Sequence, residues 1–155
     1  MAPAGRRAYL APMTTKLLAL AAALLLVPAA AQARNANVAV AVDNVKSTRG
    51  HVRVDLCTAQ TFLGDCPYSG EAASTPGRTV VYLYDVPPGD YAIQAYQDEN
   101  DDREVNRNHF GIPTEGFGFS HDASFSVGPP KFKHARFTVD DHGASVRVKL
   151  HYLPH

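Results

Sequence analysis

Ala135 to Leu150 reads ARFTVDDHGASVRVKL. Ala135, Phe137 and Val139 alternate with Arg136 and Thr138, and Val146, Val148 and Leu150 alternate with Arg147 and Lys149. Successive side chains of a strand point to opposite faces, so a period of two predicts two strands, each with one buried face. Between them Asp140-Asp141-His142-Gly143 is a turn sequence in which Gly143 suits left-handed backbone. The pair is therefore expected to form a hairpin.

The same period recurs upstream. Val38, Val40 and Val42 alternate with alanines, and Val52, Val54 and Leu56 alternate with His51, Arg53 and Asp55. Arg78 to Val86 and Tyr91 to Gln97 are more uniformly apolar strands joined by the tight turn Pro87-Pro88-Gly89-Asp90. Glu115 to Ser120 offers one more short strand. No stretch after residue 34 keeps a helical period. Six or seven short strands with turns at these intervals predict an all-β, antiparallel β-sandwich forming one domain over residues 34–155. Two connections are long, Thr58 to Pro76 and Asp98 to about Pro130. Loops of that length in a small domain usually carry function or mobility.

The chain has 155 residues, enough for one core, and equal numbers of basic and acidic side chains, 15 of each. Arg6, Arg7 and Lys16 are the only charges in the first 33 residues, which leaves 12 basic against 15 acidic residues beyond them. A net charge of −3 there argues against a nucleic-acid or anionic-membrane binder, both of which need a basic surface.

Leu17 to Ala31 is an uncharged apolar run that follows Lys16 and ends in Ala31-Gln32-Ala33. This is the layout of a secretory signal peptide cleaved after Ala33, and the run is short for a membrane span, which takes about 20 residues. Met13 would itself start such a leader well, so residues 1–12 are a candidate over-extended start, and Arg6-Arg7 loosely follows a twin-arginine signal. The alanine-rich run suggests a bacterial protein bound for the periplasm or beyond. Cys57 and Cys66, the only cysteines, both lie in the exported part. In an oxidising compartment such a pair is expected to close a disulfide. Metal binding would want further ligands, and redox catalysis would want C-x-x-C.

Further motifs add a family. They are Gly50 to Val54, Pro87 to Tyr91 (PPGDY), Asp98 to Asp102 (DENDD), Phe110 to Ser120 (FGIPTEGFGFS), and Val127 to Phe132. In this order they resemble domain of unknown function family 2141, a family of exported bacterial domains, over about residues 36–152. The resemblance implies a secreted Ig-like or transthyretin-like β-sandwich and implies no activity. The chain departs from the family pattern where Arg103 replaces a glycine and Asn106 an aspartate.

Three groups of residues could carry chemistry. Asp98, Asn100 and Asp102, extended by Glu104 and Asn106, present oxygens at every second position, as the first half of a calcium loop does. An EF-hand is excluded by Arg103 at its sixth position and His109 at its twelfth. Either a calcium site closed by Glu115 or Asp122, or an acidic turn bonded to its own backbone, fits the spacing. Phe110, Glu115, Phe117 and Phe119 interleave with glycines, which suits a ligand surface or close packing over the sandwich. His51, His134 and His151 share the polar phase of predicted strands, and could form a zinc or copper patch or simply face solvent. Ser120-His121-Asp122 is not a catalytic triad, because neighbours in extended chain point apart.

The expected function is a non-enzymatic binding or envelope-interaction module, with Ca²⁺ as the one candidate cofactor and an envelope protein, peptide or glycan as partner. Two alternatives stand beside it: a purely structural domain, and an envelope hydrolase using Asp98, Glu115 or Asp122 as acid and base.

Overall fold

Valine at every second position gives the first strand one apolar face, and that face lies on the core. A computed structural model of the chain describes residues 34–125 and 128–154; the leader and its cleavage site lie outside the described residues. The strands are β1 Ala36–Val45, β2 His51–Cys57, β3 Tyr68–Ala73, β4 Gly77–Val86, β5 Gly89–Asp98, β6 Phe117–Phe119, β7 Phe137–Val139 and β8 Ala144–Lys149, with a one-turn helix α1 at Phe132–Ala135. They form a β-sandwich. One sheet has the order β4-β1-β8; the other runs β3-β2-β5-β6, with β7 also on β5. The pairings are antiparallel except β1 with β8, which is parallel.

Val38, Val40 and Val42 of β1 are fully buried against Val52, Val54 and Leu56 of β2 and Ile93 of β5. Burying each such side chain stabilises by about 1.5–3 kcal/mol. The Tyr91 hydroxyl donates to the Pro87 carbonyl at 3.0 Å, which closes the Pro-Pro-Gly turn between β4 and β5.

Three expectations need correction. The connection from Thr58 to Pro76 contains a strand, β3, whose sequence YSGEAA has little apolar alternation and is recruited by backbone pairing with β2. Ala135 belongs to α1 and not to a strand. Residues 137–150 do not form a hairpin: β7 pairs with β5, β8 with β1, and the 140–143 turn carries the chain from one sheet to the other. Gly143 does take left-handed backbone (φ +91°), and a β-carbon there would meet the Asn37 carbonyl oxygen at 2.2 Å. The turn thus dives against the start of β1, which steers β8 to that strand.

The outer face of the five-stranded sheet is covered by a second layer. The Cys57–Cys66 disulfide, with Cα atoms 4.7 Å apart, ties the 58–66 loop to that face. The loop places Phe62 against Phe119 and Phe132, each at 5.9 Å between ring centres. Phe117 meets Phe125 at 4.6 Å, and Ala92, Ala123 and Ala135 are buried among these rings. The described part of the long loop, residues 98–125, folds over the same face, and its root is held by its own hydrogen bonds. Gly118 of β6 lies so close to β8 that a β-carbon would fall 2.1 Å from the Lys149 carbonyl oxygen.

Candidate functional site

Two structures are built on this covered face: a polar knot at the root of the long loop, and an aromatic groove beside it. The knot begins with register. Arg53 of β2 and Asp98 of β5 lie on neighbouring strands with outward phase, where a solvated face would leave both in water. Instead both are buried. Arg53 Nε donates to Asp98 Oδ2 at 2.5 Å, its Nη1 donates to Glu71 of β3, and Nη2 stands 3.6 Å from Asp101. Asp98 also accepts the backbone N–H groups of Asp102 (3.2 Å) and Arg103 (2.9 Å). Buried charges persist only when paired and hydrogen-bonded, and Asp98 meets that condition.

Asn100 and Asp102 of the predicted calcium series are engaged in the same way. Asp102 accepts from the Asn100 amide (2.8 Å), the Asn106 amide (2.7 Å) and the Glu104 N–H (2.9 Å). These three contacts, in the order Asn106, Glu104, Asn100, hold its carboxyl below the ordinary aspartate value. Glu104 is exposed and contributes its backbone N–H to the turn. Glu115 is buried and bridges the loop, accepting from Glu99 N–H at 3.0 Å and Asn106 N–H at 3.1 Å. Burial pushes its carboxyl above the usual value, against the pull of those two donors. Among the described residues, the one set of three carboxylate, thiol or imidazole groups with ligand atoms within 4.8 Å of one another is Asp140, Asp141 and His142, on the exposed turn before β8.

The three histidines each have different surroundings, and none belongs to a metal-ligand group among the described residues. His51 shares a 2.6 Å hydrogen bond with Asp101, His151 shares one of 2.6 Å with Asp122, and His134 is exposed on α1. Ser120 is buried, its hydroxyl donating to the Ala135 carbonyl (2.5 Å) and accepting from Ile93 N–H (2.9 Å). It pins α1 to β5.

The groove has a volume of about 740 Å³. Tyr96 of β5 and Phe117 and Phe119 of β6 form its floor, with Asp55 and Gln94 at one side. Ile112 and Pro113 of the long loop and Leu63 of the disulfide-held loop form its walls. Of the aromatic series picked out in the sequence, Phe117 and Phe119 line this groove. Glu115 lies in an adjoining polar cleft with Lys46, Arg49 and Tyr152, and Phe110 stands 75% exposed, its ring tilted against that of His109 with centres 4.0 Å apart. Sequence reasoning missed Arg53, Asp55, Gln94, Tyr96, Leu63 and Ile112. Their only signal is indirect: β2 and β5 carry outward side chains, and a loop long enough to cover them follows β5.

Residues 40–147 match the family described as "Uncharacterized protein conserved in bacteria (DUF2141)". The chain belongs to this family. The matched span runs from β1 to β8 and so includes both sheets, the polar knot and the groove. No curated protein and no solved structure matches the chain. Among the described residues of this family member, no helix is long and apolar enough to cross a membrane.

Proposed function

We propose that this protein is an exported, non-enzymatic binding module whose ligand occupies the groove over Tyr96, Phe117 and Phe119. The observation that carries the reading is a preformed aromatic floor with large apolar side chains left open at its rim, Leu63 at 45% and Ile112 at 37% exposed. Ligand sites are typically concave, mostly apolar, and about 300–1,000 Å³ in volume, with a few polar groups that fix orientation. Apolar side chains held open around such a site gain from being covered.

The groups a hydrolase would need are otherwise employed. Asp98 answers Arg53 and two backbone donors, Glu115 answers two more, and Asp122 pairs with His151. In this reading the Asp98, Asn100 and Asp102 oxygens order the loop by capturing its own N–H groups and need no cation. Export is part of the proposal, supported by the leader pattern and by a disulfide of the kind that persists in oxidising compartments. The partner would be an envelope peptide, glycan or protein.

The test is uptake of a neutral, environment-sensitive dye. The double substitution Leu63→Glu with Ile112→Glu is expected to weaken it by about tenfold, a loss of ~1.4 kcal/mol, with the melting temperature unchanged. Undiminished uptake by that variant, or loss on replacing Tyr82 and Tyr84 of the opposite sheet, overturns the assignment.

A further inference from the structure

We infer that the groove selects a small organic ammonium ion, a positive nitrogen on an apolar body, with Asp55 as its counter-charge and Tyr96, Phe117 and Phe119 as its aromatic wall. This rests on the groove being the binding site and adds the charge of its occupant.

Asp55 is half-buried on the outward phase of β2 and lines two cavities, the aromatic groove and a smaller polar cleft shared with Arg53, Glu71 and Arg103. Tyr96 is the other residue common to both, so these two side chains stand where the cavities meet. The two cations of the polar cleft already face other carboxylates. Arg53 is held by Asp98, Glu71 and Asp101, and Arg103 stands 3.7 Å from Glu71. Arg107, exposed at the groove, donates Nη1 to the Gly111 carbonyl at 3.0 Å and makes no ion pair among the described residues. Among the described residues Asp55 has no ion pair; its carboxylate takes only a long 3.4 Å contact from the Gln94 amide. Arg53 acts on Asp55 only through space and pulls its carboxyl down, while the nearby Asp65 adds a second negative charge.

A carboxylate left in this state is costly, and burial accordingly pushes its carboxyl above the ordinary aspartate value. Burial, reinforced by the Asp55 charge, raises the Tyr96 phenol to about 12. A carboxylate beside aromatic faces, in a groove of apolar walls, complements a cation whose body is apolar: the charge meets Asp55, the nitrogen's substituents meet the rings, and the rest fills the groove. An anion would meet Asp55 with the wrong sign. A neutral apolar molecule would fill the groove and leave Asp55 unanswered.

Three probes of one shape decide the matter: phenethylammonium, 2-phenylethanol and phenylacetate, titrated by calorimetry and by the ring resonances of Tyr96, Phe117 and Phe119. Phenethylammonium is expected to bind at least about tenfold more tightly than the alcohol, with phenylacetate weakest. Asp55→Asn should abolish the preference for the cation while leaving the alcohol's affinity as it was. Removing a half-buried charge should leave the melting temperature at pH 7 unchanged or raised, which separates the loss from misfolding. If the cation and the alcohol bind equally, or if Asp55→Asn keeps the preference, the charge assignment falls and the groove survives. If none of the three shifts the ring resonances, both fall.

Discussion

Strands β4 and β5 adjoin in sequence, share a turn and look alike on paper, yet their outward faces meet opposite fates. Thr79 to Val86 reads TVVYLYDV and Tyr91 to Asp98 reads YAIQAYQD. The outward residues of β4 are the more apolar, Val80, Tyr82 and Tyr84, and they stand 41%, 54% and 65% exposed. Those of β5 are Ala92, Gln94, Tyr96 and Asp98; Gln94 is half-buried and the other three are buried, Asp98 completely. Hydrophobicity along a strand therefore did not decide which face would be covered. The cover did: β5 is followed by the 98–130 loop and flanked by the disulfide-held 58–66 loop, and no comparable segment lies over the described face of β4.

The contrast can be broken or sharpened by substitution, beginning with the largest expected effect. Arg53→Met strands the buried Asp98 carboxylate and should lower the unfolding free energy by about 3–5 kcal/mol in denaturant titrations. The matched control is Arg78→Met on the exposed face, where the 2.5 Å pair with Asp43 is solvated and the midpoint should barely move. Equal losses at the two sites would mean that the loop does not seal the knot.

Next comes the covalent tie. Replacing Cys57 and Cys66 together by alanine frees a loop of eight intervening residues and should cost about 2–3 kcal/mol. The sharper readout is local: Phe62, held against Phe119 and Phe132, should lose its ring contacts before the valine core of the sandwich loosens.

The smallest effect expected is that of calcium. With Asp98 and Asp102 already saturated by N–H donors and by Arg53, millimolar calcium against chelator should move the melting temperature by less than about 1 °C. A rise of several degrees, abolished by Asp102→Ala, would restore the cation reading of this loop.

Much of this was legible in the residues. Alternating valines in β1 and β2 mark the inward face because water and core differ in what they accept. The two cysteines, the PPGDY turn and the FGIPTEGFGFS string announced the disulfide, the β4–β5 turn and the family. The polar series from Asp98 to Asn106 announced a self-bonded turn or a metal loop, and spacing alone gives both the same oxygens. What lay hidden were partners far apart in sequence: Arg53 with Asp98, β8 beside β1, Asp55 and Ile112 lining one groove. Periodicity is a local property and reports which side of its own strand a residue faces. Whether that side meets water or a second layer depends on where a loop of thirty-odd residues comes to rest, and only the packed chain settles that, because burial is a relation between distant segments.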